Sequence, residues 1–239
     1  MANKPIVGIS MGDPFGNGPE ITVKVLNDKD IYAECNPVVI GDATCMEYAL
    51  EVAAKVSNIH LKLNVIPAVK DAKFELGTID LLDLKQVPAD QIPREEKDGQ
   101  PQPFGMGATK LGGEAAFQYV VKVIDLAMKH EVDATVTNAL SKEAINMAGH
   151  HYSGHTEIYA DYTHTKKYTM MLAHDNLRVV HVSTHVSLKE AINRVKKDRV
   201  LEVIRIADAG CKALGMKNPK IAVAGLNPHC GENGLFGRE

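Results

Sequence analysis

The sequence predicts an α/β fold built on a mixed sheet, and three observations carry that prediction. Short apolar runs alternate with stretches of helical period, the pattern of strand–helix–strand units. Two late strands are separated by only three residues, which calls for an antiparallel hairpin among otherwise parallel strands. The chain has 239 residues, 45% hydrophobic and 24% charged. That is enough for one large domain or two small ones, each with its own core.

Residues 5–11 (PIVGISM) read as a buried strand, followed by a Gly/Pro-rich turn. Residues 19–27 read as a helix, with Pro19 suited to its first turn. Residues 37–41 (PVVIG) are a strand, 43–56 a helix and 63–67 a further strand. Residues 84–106 hold Pro88, Pro93, Pro101 and Pro103 with several charges and fit no period. They read as a surface excursion or an interdomain crossover. The longest helix follows at 108–130, with Ala115, Ala116, Tyr119, Val120, Val123, Ile124 and Ala127 on its apolar stripe.

Residues 133–139 are a strand, and 141–148 a short helix with Ser141 at its N-cap. The hairpin is expected from 168–174 and 178–185, with Asp175, Asn176 and Leu177 between. Residues 187–214 read as helix in one or two pieces, and 220–226 (KIAVAGL) as a last strand. A polar loop then runs to the end at GLFGRE. A strand that delivers such a loop normally hands over to a covering helix, so a C-terminal part is expected to be missing.

Composition excludes several classes. The net charge is −3 with both signs mixed, which argues against a nucleic-acid or membrane-surface binder. No run of 18 apolar residues exists to span a membrane. The N-terminal apolar run is ended by Gly12, Asp13 and Pro14, unlike a signal peptide, and the chain reads as cytoplasmic. Cys35, Cys45, Cys211 and Cys230 are scattered without a C-x-x-C pair and read as reduced thiols.

Chemistry concentrates in a few places. The turn from Gly12 to Glu20 holds three glycines between a strand and a helix. It is either a close backbone approach to an anion at a helix N-terminus or simply a tight turn. Its spacing is not that of a dinucleotide fingerprint, and it lacks the Lys-Ser/Thr of a P-loop. His155 and Thr156 open a helix after the His150-His151-Tyr152 loop and offer two side-chain groups to a polar ligand.

His185 is expected at the tip of a strand and His229 in a loop just past one. Two imidazoles there can converge on a metal, although a catalytic zinc needs a third protein ligand. Lys142, at a helix start after a strand, is either a charge partner for a substrate anion or a solvated lysine. His181 alternates with His185 and reads as core-facing. His150 and His151 read as loop residues beside the site. His60, His130, His164 and His174 carry no functional signal of their own. No G-x-S-x-G elbow or H-E-x-x-H motif occurs.

The stretches GDPFGNGPEI, SKEAINMAGHHYSGHTE, STHVSLKEAI and GLNPHCGENGLFG resemble the NAD-dependent 4-hydroxythreonine-4-phosphate dehydrogenases. The same family includes relatives acting on threonate and erythronate 4-phosphates. The similarity runs in order through nearly the whole chain. It implies a two-domain fold like that of the isocitrate and isopropylmalate dehydrogenases, with the C-terminal part missing here. On that basis residues 1–107 and 220–239 belong to a first α/β domain. Residues 108–219 form a second, which carries a dimer-interface hairpin.

The resemblance further implies a homodimer, NAD bound without a Rossmann fingerprint, and a divalent metal: zinc, magnesium or cobalt. Carried over by motif, His155 and Thr156 bind substrate, His185 and His229 bind metal, and Lys142 is a proton-transfer or charge-stabilising partner. The family's third metal histidine lies in a later Y-H-D-Q-G-type motif, beyond residue 239. The chain departs from the family's usual GDPAGIGPEI at Phe15 and Asn17, and has Ala139 where T-A-P-x-x-K has proline. The implied activity is NAD-dependent oxidation, with decarboxylation, of a four-carbon phosphorylated hydroxy acid. The competing expectation is a catalytically incompetent fragment that only binds metal or a phosphorylated ligand.

Overall fold

The computed structural model describes residues 4–94, 96–97, 100–101, 105 and 107–239. Contacts divide the chain into two compact units, Met1–His164 and Thr165–Glu239. The helix and strand that follow the proline-rich excursion return to the first sheet.

The first unit runs β1 (Ile6–Ser10), α1 (Gly18–Val25), α2 (Lys29–Glu34), β2 (Asn36–Gly41), α3 (Ala43–Ser57), β3 (Lys62–Ile66) and β4 (Thr78–Asp83). Two short strands, β5 (Glu96–Lys97) and β6 (Gln100–Pro101), form a small ladder of their own. Then come α4 (Lys110–Met128), β7 (Ala134–Thr137), α5 (Lys142–Met147) and α6 (His155–Tyr162). The main sheet has the order β3-β4-β2-β1-β7, and every pair in it is parallel. The run Val38, Val39, Ile40 is wholly buried, as a strand covered on both faces requires.

Two helices do most of the covering. α3 buries Met46, Tyr48, Ala49 and Val52 against the sheet. α4 is capped by Thr109, whose hydroxyl accepts from the Gly112 amide. It serves two cores at once. Ala115, Tyr119 and Val123 join the sheet's core, while Phe117, Val120 and Ile124 meet Ile145 of α5 and Ile158 of α6.

The order of strands matters for function. From β1 the chain crosses to β2 on one side, and β7 later adds on the other. The carboxyl ends of β1 and β7 therefore flank a topological switch point, where open α/β sheets leave a crevice for ligands.

The second unit holds the hairpin β8 (Met171–His174) and β9 (Leu177–Val180), then α7 (Leu188–Arg194) and α8 (Lys197–Ala213). Ser187 caps α7 by accepting from the Glu190 amide. A turn over Pro228–Gly234 follows, with positive φ at every residue from His229 to Gly234.

Several expectations need correction. The expected mixed sheet is not found among the described residues: the main sheet is all parallel, and the hairpin pairs only with itself. The hairpin turn is Asp175-Asn176 alone, because Leu177 already pairs with His174. Residues 220–226 form no strand, since no neighbouring strand supplies ladder bonds to them. α2 and β4 were not anticipated; β4 has Asp80 and Asp83 in its apolar run, which masks the strand pattern. The excursion from residue 84 is anchored by Val87 and Ile92, both buried in the core; Pro103 lies outside the described residues. The four cysteines are free. Among the described residues no helix is long and apolar enough to cross a membrane.

Candidate active site

Three motifs far apart in sequence meet at the carboxyl ends of β1 and β7. The first is the turn after β1. The Asp13 amide donates to the Ala139 carbonyl at 3.0 Å, which ties this turn to the segment after β7. Gly12 has φ +80°, and a Cβ there would stand 2.5 Å from the Ala139 oxygen. Only glycine allows so close a passage. The Asp13 carboxylate accepts from the Phe15 amide at 3.0 Å. Burial pushes its pKa above the ordinary carboxylate value, partly offset by that bond.

The second motif is the segment 137–142. The Asn138 amide donates to the Ser10 carbonyl, and its side chain donates to the Thr22 hydroxyl at 2.8 Å. Asn138 therefore links β1, β7 and α1. Ser141 caps α5 by accepting from the Ala144 amide at 3.1 Å, as expected from the sequence.

The third motif is the start of α6. His155 and Thr156 are half-buried in its first turn, after Gly154. The His155 ring is hydrogen-bonded to the main chain of Asn138, yet Nε2 is buried with no protein partner. Burial holds this imidazole below its ordinary value, against the smaller opposing effect of the Asn138 bond. A neutral ring with one nitrogen fixed and the other unsatisfied is a ready hydrogen-bonding group for a ligand. Lys142 is exposed, and its Cε lies 3.7 Å from where a Gly154 Cβ would be. Lys142, His155 and Thr156 thus share one neighbourhood beside the glycine turn.

The structure places the two expected metal histidines in the second unit, both exposed. His185 does not close a strand: β9 ends at Val180, and His185 lies in the loop before α7 with φ +54°. Arg199 of α8 donates to the Val182 carbonyl in this same loop, so the chain leaves the ladder early. His229 has φ +51°, and its ring centroid is 5.8 Å from that of Phe236. His181 is likewise outside the strand and half-buried, with Nδ1 unpartnered. Among the described residues no group of three His, Cys, Asp or Glu is placed to hold a metal. Two imidazoles are one ligand short of a catalytic zinc site.

Residues 33–239 match the family model described as pyridoxal phosphate biosynthetic protein PdxA. The chain belongs to the PdxA family. A curated protein of Clostridium botulinum is 42% identical over 237 residues, 99% of this chain and 66% of its own length. The D-threonate 4-phosphate dehydrogenase of Cupriavidus necator is 40% identical over 233 residues, 98% of this chain and 65% of its own. A solved structure of a 4-hydroxythreonine-4-phosphate dehydrogenase from Burkholderia phymatum superposes with a TM-score of 0.81 at 39% identity. It is matched over 98% of this chain and 66% of its own. This PdxA chain therefore spans about two thirds of the length of these relatives.

Three residues around this candidate site carry no signal of their own in the sequence. Asn138 and Asp13 lie inside motifs already singled out, but nothing in their spacing shows which atoms they bind. Glu114 sits on α4 among helix formers, and only its contact with His150 marks it.

Proposed function

We propose that this PdxA-family protein oxidises a four-carbon phosphorylated hydroxy acid with NAD. D-threonate 4-phosphate is the leading substrate and 4-hydroxythreonine 4-phosphate the next. The observation that carries the reading is His155: a neutral imidazole with a buried, unpartnered Nε2, at the switch point, beside Thr156 and Lys142. The relatives' names supply the substrate class.

NAD, when bound, accepts the hydride. The substrate loses that hydride from its hydroxyl-bearing C3 carbon and a proton from the hydroxyl, which leaves a ketone. A ketone β to the carboxylate then loses carbon dioxide readily. His155 and Thr156 orient the substrate through hydrogen bonds, which fixes the reacting carbon. The Lys142 ammonium steadies the negative charge that develops on oxygen, or moves the hydroxyl proton. The glycine turn at the α1 N-terminus suits an anionic group of substrate or cofactor. A divalent metal (zinc, magnesium or cobalt), when bound, would take His185 and His229 as two of its ligands and would supply a positive charge for the developing oxyanion. The protein acts in the cytoplasm as a homodimer, with the β8–β9 hairpin in the interface; Leu172 and Leu177 expose apolar surface there.

The test is NADH formation by the full-length gene product with each substrate in turn, with zinc, magnesium or cobalt supplied. No turnover on either substrate would overturn the reading. A second reading has its own support: His185 and His229 are exposed and bring no third ligand with them among the described residues. On that reading the 239-residue polypeptide binds a phosphorylated ligand or metal without turnover.

A further inference from the structure

His150 belongs to the seven-residue connection between α5 and α6, which ends at Gly154 and delivers His155 and Thr156. Its ring stacks on Phe117 of α4, with centroids 3.6 Å apart and planes inclined by 12°. Its Nε2 lies 2.8 Å from the Glu114 carboxylate, one turn earlier on α4. Glu114 also accepts from Gln118 at 2.8 Å. Burial pushes the Glu114 carboxyl up, but the bonds from Gln118 and His150 outweigh this and hold it below the ordinary value.

The same Phe117 ring meets Tyr152 at 5.8 Å and Tyr162 at 5.9 Å. The Tyr152 hydroxyl in turn donates to Asp161 at 2.6 Å. One aromatic ring on α4 therefore contacts the connection at His150 and Tyr152 and the far end of α6 at Tyr162. The main chain adds a bond from the His150 amide to the Ile145 carbonyl at 2.9 Å.

The stacking distance and the bond are more than a surface histidine needs. A solvated loop of this length would otherwise move freely, and the turn carrying His155 would move with it. We propose that Glu114, Phe117 and His150 form a clasp that sets the position of His155 and Thr156, making His150 a positioning residue of the site. This rests on the reading that His155 and Thr156 bind substrate. The clasp touches no substrate itself; it acts through the connection that it pins to α4.

The geometry separates two contributions, which single substitutions can remove in turn. His150→Phe keeps a ring against Phe117 and loses the bond to Glu114. His150→Gln loses the ring and keeps an amide that can donate to Glu114. Glu114→Gln leaves the stack untouched and removes the charge, so it serves as a second variant where a His150 change unfolds the chain.

The experiment uses the full-length protein. Steady-state kinetics with D-threonate 4-phosphate are measured alongside the NMR signal of the His155 imidazole, assigned by its loss in His155→Gln. The clasp predicts that His150→Phe and Glu114→Gln raise KM by about tenfold with kcat nearly unchanged, and shift the His155 resonance. His150→Gln should recover much of the lost KM. Folded variants with unchanged KM and an unmoved His155 resonance would overturn the proposal, whatever happens to their melting temperatures. If the wild-type protein turns over no phosphorylated hydroxy acid, the functional reading fails. The His155 resonance then decides the clasp alone: a shift supports it and no shift overturns it.

Discussion

The Tyr119 hydroxyl, in the middle of α4, donates to the carboxylate of Asp42, the residue that precedes α3. Both are almost wholly buried, and Asp42 also accepts from the Val87 amide at 3.3 Å. Burial pushes the Asp42 carboxyl above its ordinary value, partly offset by these two donors. Tyr119→Phe removes the hydroxyl donor and leaves a buried carboxylate oxygen unsatisfied. The loss should be about 1–3 kcal/mol of unfolding free energy, measured by urea titration. An unchanged midpoint would show that Asp42 finds another donor.

His155 gives a pH prediction with a definite sign. Its folded pKa lies below the ordinary 6.5, because burial disfavours the charged ring. The unfolded chain therefore binds the proton more tightly between the two values. The stability contribution is complete above 6.5 and is lost as pH falls through the folded value. His155→Gln should flatten the stability profile in that window, read from urea midpoints at about pH 5 to about pH 8. A profile as steep as the wild type's would place the slope on other histidines.

The same residue carries a kinetic prediction. In the full-length protein, His155→Ala should lower kcat/KM by roughly 10- to 1,000-fold, the loss expected for a positioned polar contact. Unchanged kinetics would return His155 to a structural role.

Gly113 predicts a packing failure. A Cβ at this position would overlap the carbonyl of Ala144, so the backbones of α4 and α5 are in direct contact. Gly113→Ala gains about 1 kcal/mol in helix propensity but forces the helices apart. The net effect should be a destabilisation of about 1–3 kcal/mol. A rise in thermal midpoint would show that α5 can shift without loss.

Metal dependence tests the second unit. In the full-length protein, His185→Ala and His229→Ala should each weaken zinc affinity by at least about tenfold, measured by competition with a chelating dye. A polypeptide of the 239 residues alone should form no NADH with D-threonate 4-phosphate, since the described residues place no group of three side chains to hold a metal. Robust turnover would make His181, half-buried in the same unit with an unpartnered Nδ1, the next candidate for a third ligand.

What the sequence made legible follows the reach of each signal. Local signals worked: Ser141 at the start of α5, the short apolar runs of β1 and β2, and the apolar stripe of α4 all appear as expected. Signals that depend on a partner did not. KIAVAGL has strand composition, but a strand exists only where a neighbour accepts its bonds. His185 fits the strand alternation, yet the Arg199 bond to Val182 is a tertiary event. The site divides in the same way. His155, Thr156 and Lys142 are candidates by motif position, whereas the links made by Asn138 and Glu114 are visible only in the contacts themselves.

The seam between β1 and β7 has a consequence for how the chain reaches its native state. β1 pairs with β2 after a short excursion, but its bond to the β7 side, from the Ile6 amide to the Asp133 carboxylate, spans 127 residues. Closing so long a loop comes late, because its entropy must be met before distant contacts give anything back. The Asp13–Ala139 and Asn138–Ser10 bonds, which tie the turn after β1 to the segment after β7, depend on that closure. During refolding the sheet from β1 to β4 should therefore protect its amides from exchange first. Those of Asp13 and Asn138 should follow in a later phase, so a newly made chain passes through a state with a formed core and no site.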